Sequence, residues 1–171
     1  AAQALTKRSV FSLACLVAAP CFMAATSAKA TPVVPDGKSF TCTPIAVWDG
    51  DGPIWCSEGP RIRLSGIAAR ELDETCSVGH PCPAASGLKA RNELAKLLGG
   101  SKGTLPTGHI KVSAPPLKCF SKGNGVGSRT AAFCQRQDGV DLSCAMVAGG
   151  WALRWERYWG GHKCQRAKQR F

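Results

Sequence analysis

The chain has no internal repeat and no low-complexity linker, so it is not an array of small units. Its one glycine-rich stretch, Gly123-Asn124-Gly125-Val126-Gly127, lacks the Gly-Lys-Ser/Thr ending of a phosphate-cradling loop. It falls between strand-like segments and reads as a flexible hairpin. Cys76, His80 and Cys82 have no evident fourth zinc ligand, so a disulfide is the simpler reading of the two cysteines. His109 and His162 have no convincing partners in the sequence. Acid is scarce: 11 Asp and Glu stand against 22 Lys and Arg. A basic surface attracts polyanions such as nucleic acid, acidic polysaccharide or anionic lipid. The charge does not choose among them, and a basic solvated surface with no ligand has the same composition.

What is present begins with a targeting pattern. Lys7 and Arg8 precede an apolar run over residues 10–25, and Ala28-Lys29-Ala30 follows as a small-x-small cleavage site. Residues 1–30 therefore read as a signal peptide. The run is short for a membrane span and contains Pro20. Removing it takes away three cations and lowers the formal charge from +11 to +8. The remaining length suits one domain with a modest core. No further membrane anchor is visible, so the expected destination is the periplasm or the medium.

Eight cysteines remain, at 42, 56, 76, 82, 119, 134, 144 and 164. An even number in an exported domain points to disulfides in an oxidising compartment. Connectivity is not given by sequence. Hairpin geometry suggests Cys42 with Cys56 across an acidic turn, Cys119 with Cys134 across the glycine-rich loop, and Cys76 with Cys82 in one short loop. Cys144 and Cys164 are left to each other.

Residues 31–39 read as a mobile leader. Strands are expected over 40–48, 53–56, 61–65 and 109–113, and over 117–120 with 130–135. Pro44 marks an edge or a corner. In the third strand Ile62 and Leu64 alternate with Arg61, Arg63 and Ser65, giving one apolar face and one that carries cations. A helix is expected over 83–98, stopped by Gly99-Gly100, and a second over 142–148, capped by Asp141 and stopped by Gly149-Gly150. From Arg154 to the end there are six Lys or Arg against one acid, Glu156. The pattern supports a small α+β or mainly β domain.

The stretch over residues 48–71 carries the most chemistry. Asp49-Gly50-Asp51-Gly52 is a tight acidic turn, Arg61-Ile62-Arg63-Leu64 is a strand, and Glu71 closes the following loop. Taken alone, an Asp-Gly turn is mostly a hairpin turn. Acidic turn, strand and glutamate in this order resemble the staphylococcal-nuclease (thermonuclease) family. The resemblance runs over about residues 40–158. It implies a five-stranded OB-fold barrel with capping helices, here stapled by disulfides, over residues 40–171. It also implies a monomeric hydrolase that cuts phosphodiester bonds of DNA or RNA with little sequence preference and with calcium.

By that resemblance Asp51 ligates calcium, the backbone carbonyl of Ala69 is a second ligand, and Asp49 is a further candidate. Arg63 and Arg129 grip the phosphate and stabilise charge on its oxygens. Glu71 orients or deprotonates the attacking water. Tyr158 fits one nucleotide-contacting tyrosine, and Glu156 stands where the other would be. The departures are specific. Ala68 replaces a second metal-binding aspartate, and Gly52 replaces a threonine. Val126 and Gly127 stand where a lysine and a tyrosine help hold nucleotide, and the last helix is cut short at Phe171. Losing one charged ligand weakens a hard-cation site, with Asp73 or Glu74 as candidates to compensate. This motivates an alternative: a catalytically weak or inactive module of the same fold that binds nucleic acid or another acidic polymer.

Overall fold

The computed structural model describes residues 31–164. The expected signal peptide and the expected final helix beyond residue 164 lie outside the described residues. The chain runs β1 (Ser39–Cys42), β2 (Pro44–Val47), β3 (Ile54–Cys56), β4 (Arg61–Leu64), β5 (Ile67–Ala68) and α1 (Gly87–Leu97). It continues with β6 (Ile110–Lys111), β7 (Leu117–Asn124), β8 (Thr130–Gln135), α2 (Leu142–Ala148), β9 (Leu153–Arg154) and α3 (Glu156–Trp159).

The main sheet has seven strands in the order β1-β7-β8-β4-β3-β2-β6, and β5 pairs with β9 in a second small sheet. Five strands were expected from the resemblance, so the count differs. One reason is the break at Thr43, which splits the expected first strand in two. Its first half pairs with β7 and its second with β3. Consecutive pieces of chain thus sit at distant places in one sheet, and the sheet must curl to allow it. Pro44 lies at this corner, where the β2–β3 register slips between Pro44 and Ala46. β6 adds an extra strand beyond β2.

The inner face of the curl is apolar. Val47, Ile54, Ile62, Leu64 and Leu117 are each no more than 1% exposed. Leu94 and Leu98 of the α1 region and Leu142 and Met146 of α2 are fully buried in the same core. The α1 helix starts later than the sequence suggests. Ser86 caps it by accepting from the Lys89 N–H at 3.2 Å, while Pro83 stays in the loop. In α2 the Asp141 carboxylate accepts from the Cys144 N–H at 2.9 Å, as the capping signal implies.

Four disulfides join Cys42–Cys56, Cys76–Cys82, Cys119–Cys134 and Cys144–Cys164. This is the expected pairing, three bonds suggested by hairpin and loop geometry and Cys144–Cys164 as the remainder. The segment before β1 does not run free. Val34 N–H donates to Thr130 Oγ1 at 3.0 Å, Ser121 Oγ donates to the Val34 carbonyl at 2.7 Å, and Gly37 N–H donates to the Ser121 carbonyl. Ser121 and Thr130 are fully buried, and a buried hydroxyl needs a partner. The leader supplies it. Among the described residues, no helix is long and apolar enough to cross a membrane.

Candidate active site

The acidic turn is held from within and from behind. Asp49 Oδ1 accepts from the Asp51 N–H at 3.1 Å, closing a turn around Gly50. The Asp51 carbonyl accepts from the Leu64 N–H at 2.8 Å, which fixes the turn beside β4. Gly52 has φ +119, and a Cβ there would lie 2.4 Å from the Ile62 carbonyl oxygen. The glycine that departs from the family pattern is therefore the residue this turn needs. Gly50 approaches Ala90 and Ala69 so closely that its own Cβ would sit 2.5 and 2.8 Å from theirs.

Four of the expected residues converge. Arg63 Nη1 lies 2.7 Å from Asp51 Oδ1, a close ion pair poorly aligned for a hydrogen bond. Asp51 Oδ2 accepts from the Ala69 N–H at 2.8 Å. Asp49 and Asp51 are only 7% and 8% exposed. Burial pushes the Asp49 carboxyl up to about 8, helped by the charges of Asp51 and Glu71 and opposed by the Asp51 N–H and by Arg63. Asp49, Asp51 and Arg63 thus share one nearly buried spot, and Ala69, held by Asp51, leads two residues on to Glu71.

Glu71 is steadied by the small disulfide loop. Ser77 Oγ donates to Glu71 Oε1 at 2.9 Å, and the Glu71 N–H donates to the Thr75 carbonyl. Ser77 lies inside the ring closed by Cys76–Cys82. Helix α1 presses on the same loop: a Cβ on Gly87 would meet the Glu71 carbonyl oxygen at 2.0 Å. Ser77, Gly87 and Ala90 were not anticipated as parts of the site. Their only advance signal is their small size near a glutamate loop.

Arg129 stands immediately before β8, the strand beside β4. β4 and β8 run parallel with Ile62 opposite Thr130 and Arg63 opposite Ala131. Ile62, Leu64, Thr130 and Ala132 are buried, so Arg63 and Arg129 share the outer face of the sheet. Arg129 Nε donates to the Val126 carbonyl at 3.1 Å. On the far side of Arg63 stands Trp155, whose ring is 6.0 Å from the guanidinium carbon. Trp155 packs against His80 at 4.1 Å and edge-on to Tyr158 at 4.6 Å. Tyr158 is half exposed, and Glu156 pairs with Arg154 at 2.8 Å. Asp73 accepts from Thr75 at 2.6 Å within the loop, and Glu74 accepts from the Gly87 N–H at the start of α1 at 3.1 Å.

The cation implied by the resemblance can be tested against these donors. Two buried carboxylates stand together, and burial first, with the neighbouring Asp51 charge, keeps the proton on Asp49 to about pH 8. Hard oxygen donors short of positive charge suit a hard cation. The set fits in kind and is small in number, because Ala68 is fully buried and has no side-chain oxygen. Among the described residues, Cys42, Cys56 and Glu58 also cluster, as do Asp141, Cys144 and His162. Their cysteines are in disulfides and offer no thiolate.

No protein-family model matches the chain, and comparisons with curated proteins and with solved structures find no match either.

Proposed function

We propose that this protein is an exported nuclease of the staphylococcal-nuclease type, built on an OB-type barrel with capping helices. It would hydrolyse phosphodiester bonds of DNA or RNA with little sequence preference. The observation that carries this reading is convergence. A turn, a strand and a loop bring Asp49, Asp51 and Arg63 together and lead to Glu71, with Arg63 2.7 Å from Asp51 and the Ala69 N–H, two residues before Glu71, on the other Asp51 oxygen.

In this reading Arg63 on β4 and Arg129, immediately before the adjacent parallel β8, clamp one phosphate and stabilise the charge that builds on its oxygens. Glu71, held by Ser77, takes a proton from water as the water oxygen bonds to phosphorus and the bond to the leaving sugar oxygen breaks. Asp51, with Asp49 and the Ala69 carbonyl, would hold calcium, which supplies positive charge to the phosphoryl oxygens. Four disulfides fit folding in an oxidising compartment, periplasmic or external.

One observation favours a second reading, binding without turnover. Asp51 has one oxygen against Arg63 and the other on the Ala69 N–H, and Ala68 supplies no replacement carboxylate. The test is digestion of plasmid, single-stranded DNA and RNA by the oxidised protein, with calcium titrated against a chelator control. The nuclease reading requires calcium-dependent cleavage that falls at least about a hundredfold in Glu71→Gln. A folded protein that binds nucleic acid in a salt-dependent way and cuts none of the three substrates is the binding module instead.

A further inference from the structure

Arg61 has no part in the hydrolysis just described, yet its placement is unusually constrained. It precedes Arg63 by two residues on β4 and shares its outward face, opposite Trp55 of β3. Among the described residues, Arg63 pairs with Asp51, but neither Arg61 nor Arg129 forms an ion pair. The Arg61 guanidinium lies over the Trp55 ring at 4.8 Å. Trp55 packs on His109 at 4.1 Å, and His109 packs on Trp48 at 4.9 Å. Arg61 is thus the cationic end of a column running Trp48, His109, Trp55, Arg61. Burial first, and the nearby Arg61 charge as well, hold His109 below the usual histidine range. The imidazole is neutral at pH 7 and leaves Arg61 as the charge of the column. An arginine already seated over an indole loses little further freedom when its fork meets an anion.

We propose that Arg61, seated on this column, binds the phosphate next to the one gripped by Arg63 and Arg129, so that the outer face of β4 and β8 receives an extended single-stranded polynucleotide. The proposal rests on the nuclease reading for the position of the first phosphate. Two residues along a strand advance about 6.6 Å, the scale of one nucleotide step in an extended strand. Arg61 and Arg63, one such advance apart on one face, match a backbone with one charge per step, and the part-buried aromatic column offers a surface to an unpaired base. A duplex keeps its base faces stacked on one another and leaves none for the column.

The test is equilibrium binding of a labelled short oligothymidylate, and of a duplex of the same length, by the oxidised protein in chelator over a salt series. Arg61→Ala should weaken single-strand binding about tenfold and reduce the logarithmic salt slope by about 0.7. The loss for the duplex should be clearly smaller. Arg61→Lys keeps the charge and the fold while losing the flat fork, and should keep the slope but lose affinity severalfold. Unchanged affinity and slope in Arg61→Ala, checked by an unchanged melting temperature, would overturn the proposal, as would equal losses for single strand and duplex. Cleavage that depends on Glu71, with binding indifferent to Arg61, would remove this track and leave the nuclease standing. Binding that depends on Arg61 with no cleavage of any substrate would do the reverse.

Discussion

Asp49 is a nearly buried carboxyl whose Oδ1 closes the acidic turn on the Asp51 N–H. Two aspartates one glycine apart are a common turn, and their spacing says nothing of solvent. In the fold both are nearly buried, and Asp49 is pushed from its ordinary 3.8 to about 8 by burial and by its acidic neighbours. The folded chain therefore keeps a proton that the unfolded chain releases above about pH 4. Stability from this group is complete below that pH, declines as pH rises, and is lost once pH passes about 8. Asp49→Asn should abolish the decline. In chelating buffer the variant should match wild type near pH 4 and exceed it at pH 8, by on the order of a few kcal/mol. Denaturant midpoints across that range check it, and parallel pH profiles for the two proteins would refute the assignment. The residues of this site were legible because turn, strand and glutamate are close in sequence. Their supports were not. Ser77 reaches Glu71 only because a disulfide folds its loop back, and Trp155 reaches Arg63 only because its N–H bonds to the Gly66 carbonyl.

Elements show a similar division. Alternating Ile62 and Leu64, the capping Asp141 and the paired glycines after each main helix are local signals, and they placed β4, α2 and the helix ends correctly. The strand count was less visible. Nothing local announces that Thr43 separates a half-strand paired with β7 from one paired with β3, since the β7 partners come from the far half of the chain, Ser39 opposite Phe120 and Cys42 opposite Leu117. The later start of α1 also has a tertiary cause. Gly87 stands first in the helix, with no room for a Cβ between it and the Glu71 carbonyl. Gly to Ala in a helix ordinarily gains up to about 1 kcal/mol. Here the sign should invert. Gly87→Ala should cost about 1–3 kcal/mol through overpacking and should displace the loop that carries Glu71. Urea denaturation reads the first effect and the turnover of any cleaved substrate reads the second. A stabilised variant would mean that loop and helix are not in the contact described.

At the scale of the whole molecule, the curl of the sheet concentrates at one corner, and that corner is pinned twice. Cys42, the last residue of β1, is bonded to Cys56, the last residue of β3. The next residue, Thr43, gives its N–H and Oγ1 to the Glu58 carboxylate at 2.8 and 2.6 Å. The two fastenings differ in kind. Glu58 is exposed, so its hydrogen bonds compete with water and contribute little net stability. Cys42 and Cys56 are 0% and 5% exposed, and they close a loop with a sequence separation of 14. A loop of that size is worth about 2–4 kcal/mol through the entropy it removes from the unfolded chain. The double variant Cys42→Ala with Cys56→Ala should therefore lower the melting temperature by roughly 10 °C, and Glu58→Gln by no more than about 2 °C. The consequence for the site follows from topology. The disulfide anchors β3 at the end away from the acidic turn, so the turn stays tied to β4 through the Asp51 carbonyl and the Leu64 N–H. The disulfide variant should then keep its ligand affinity below its melting point while losing stability. Affinity that fell in step with stability would show that the corner and the site unfold as one unit.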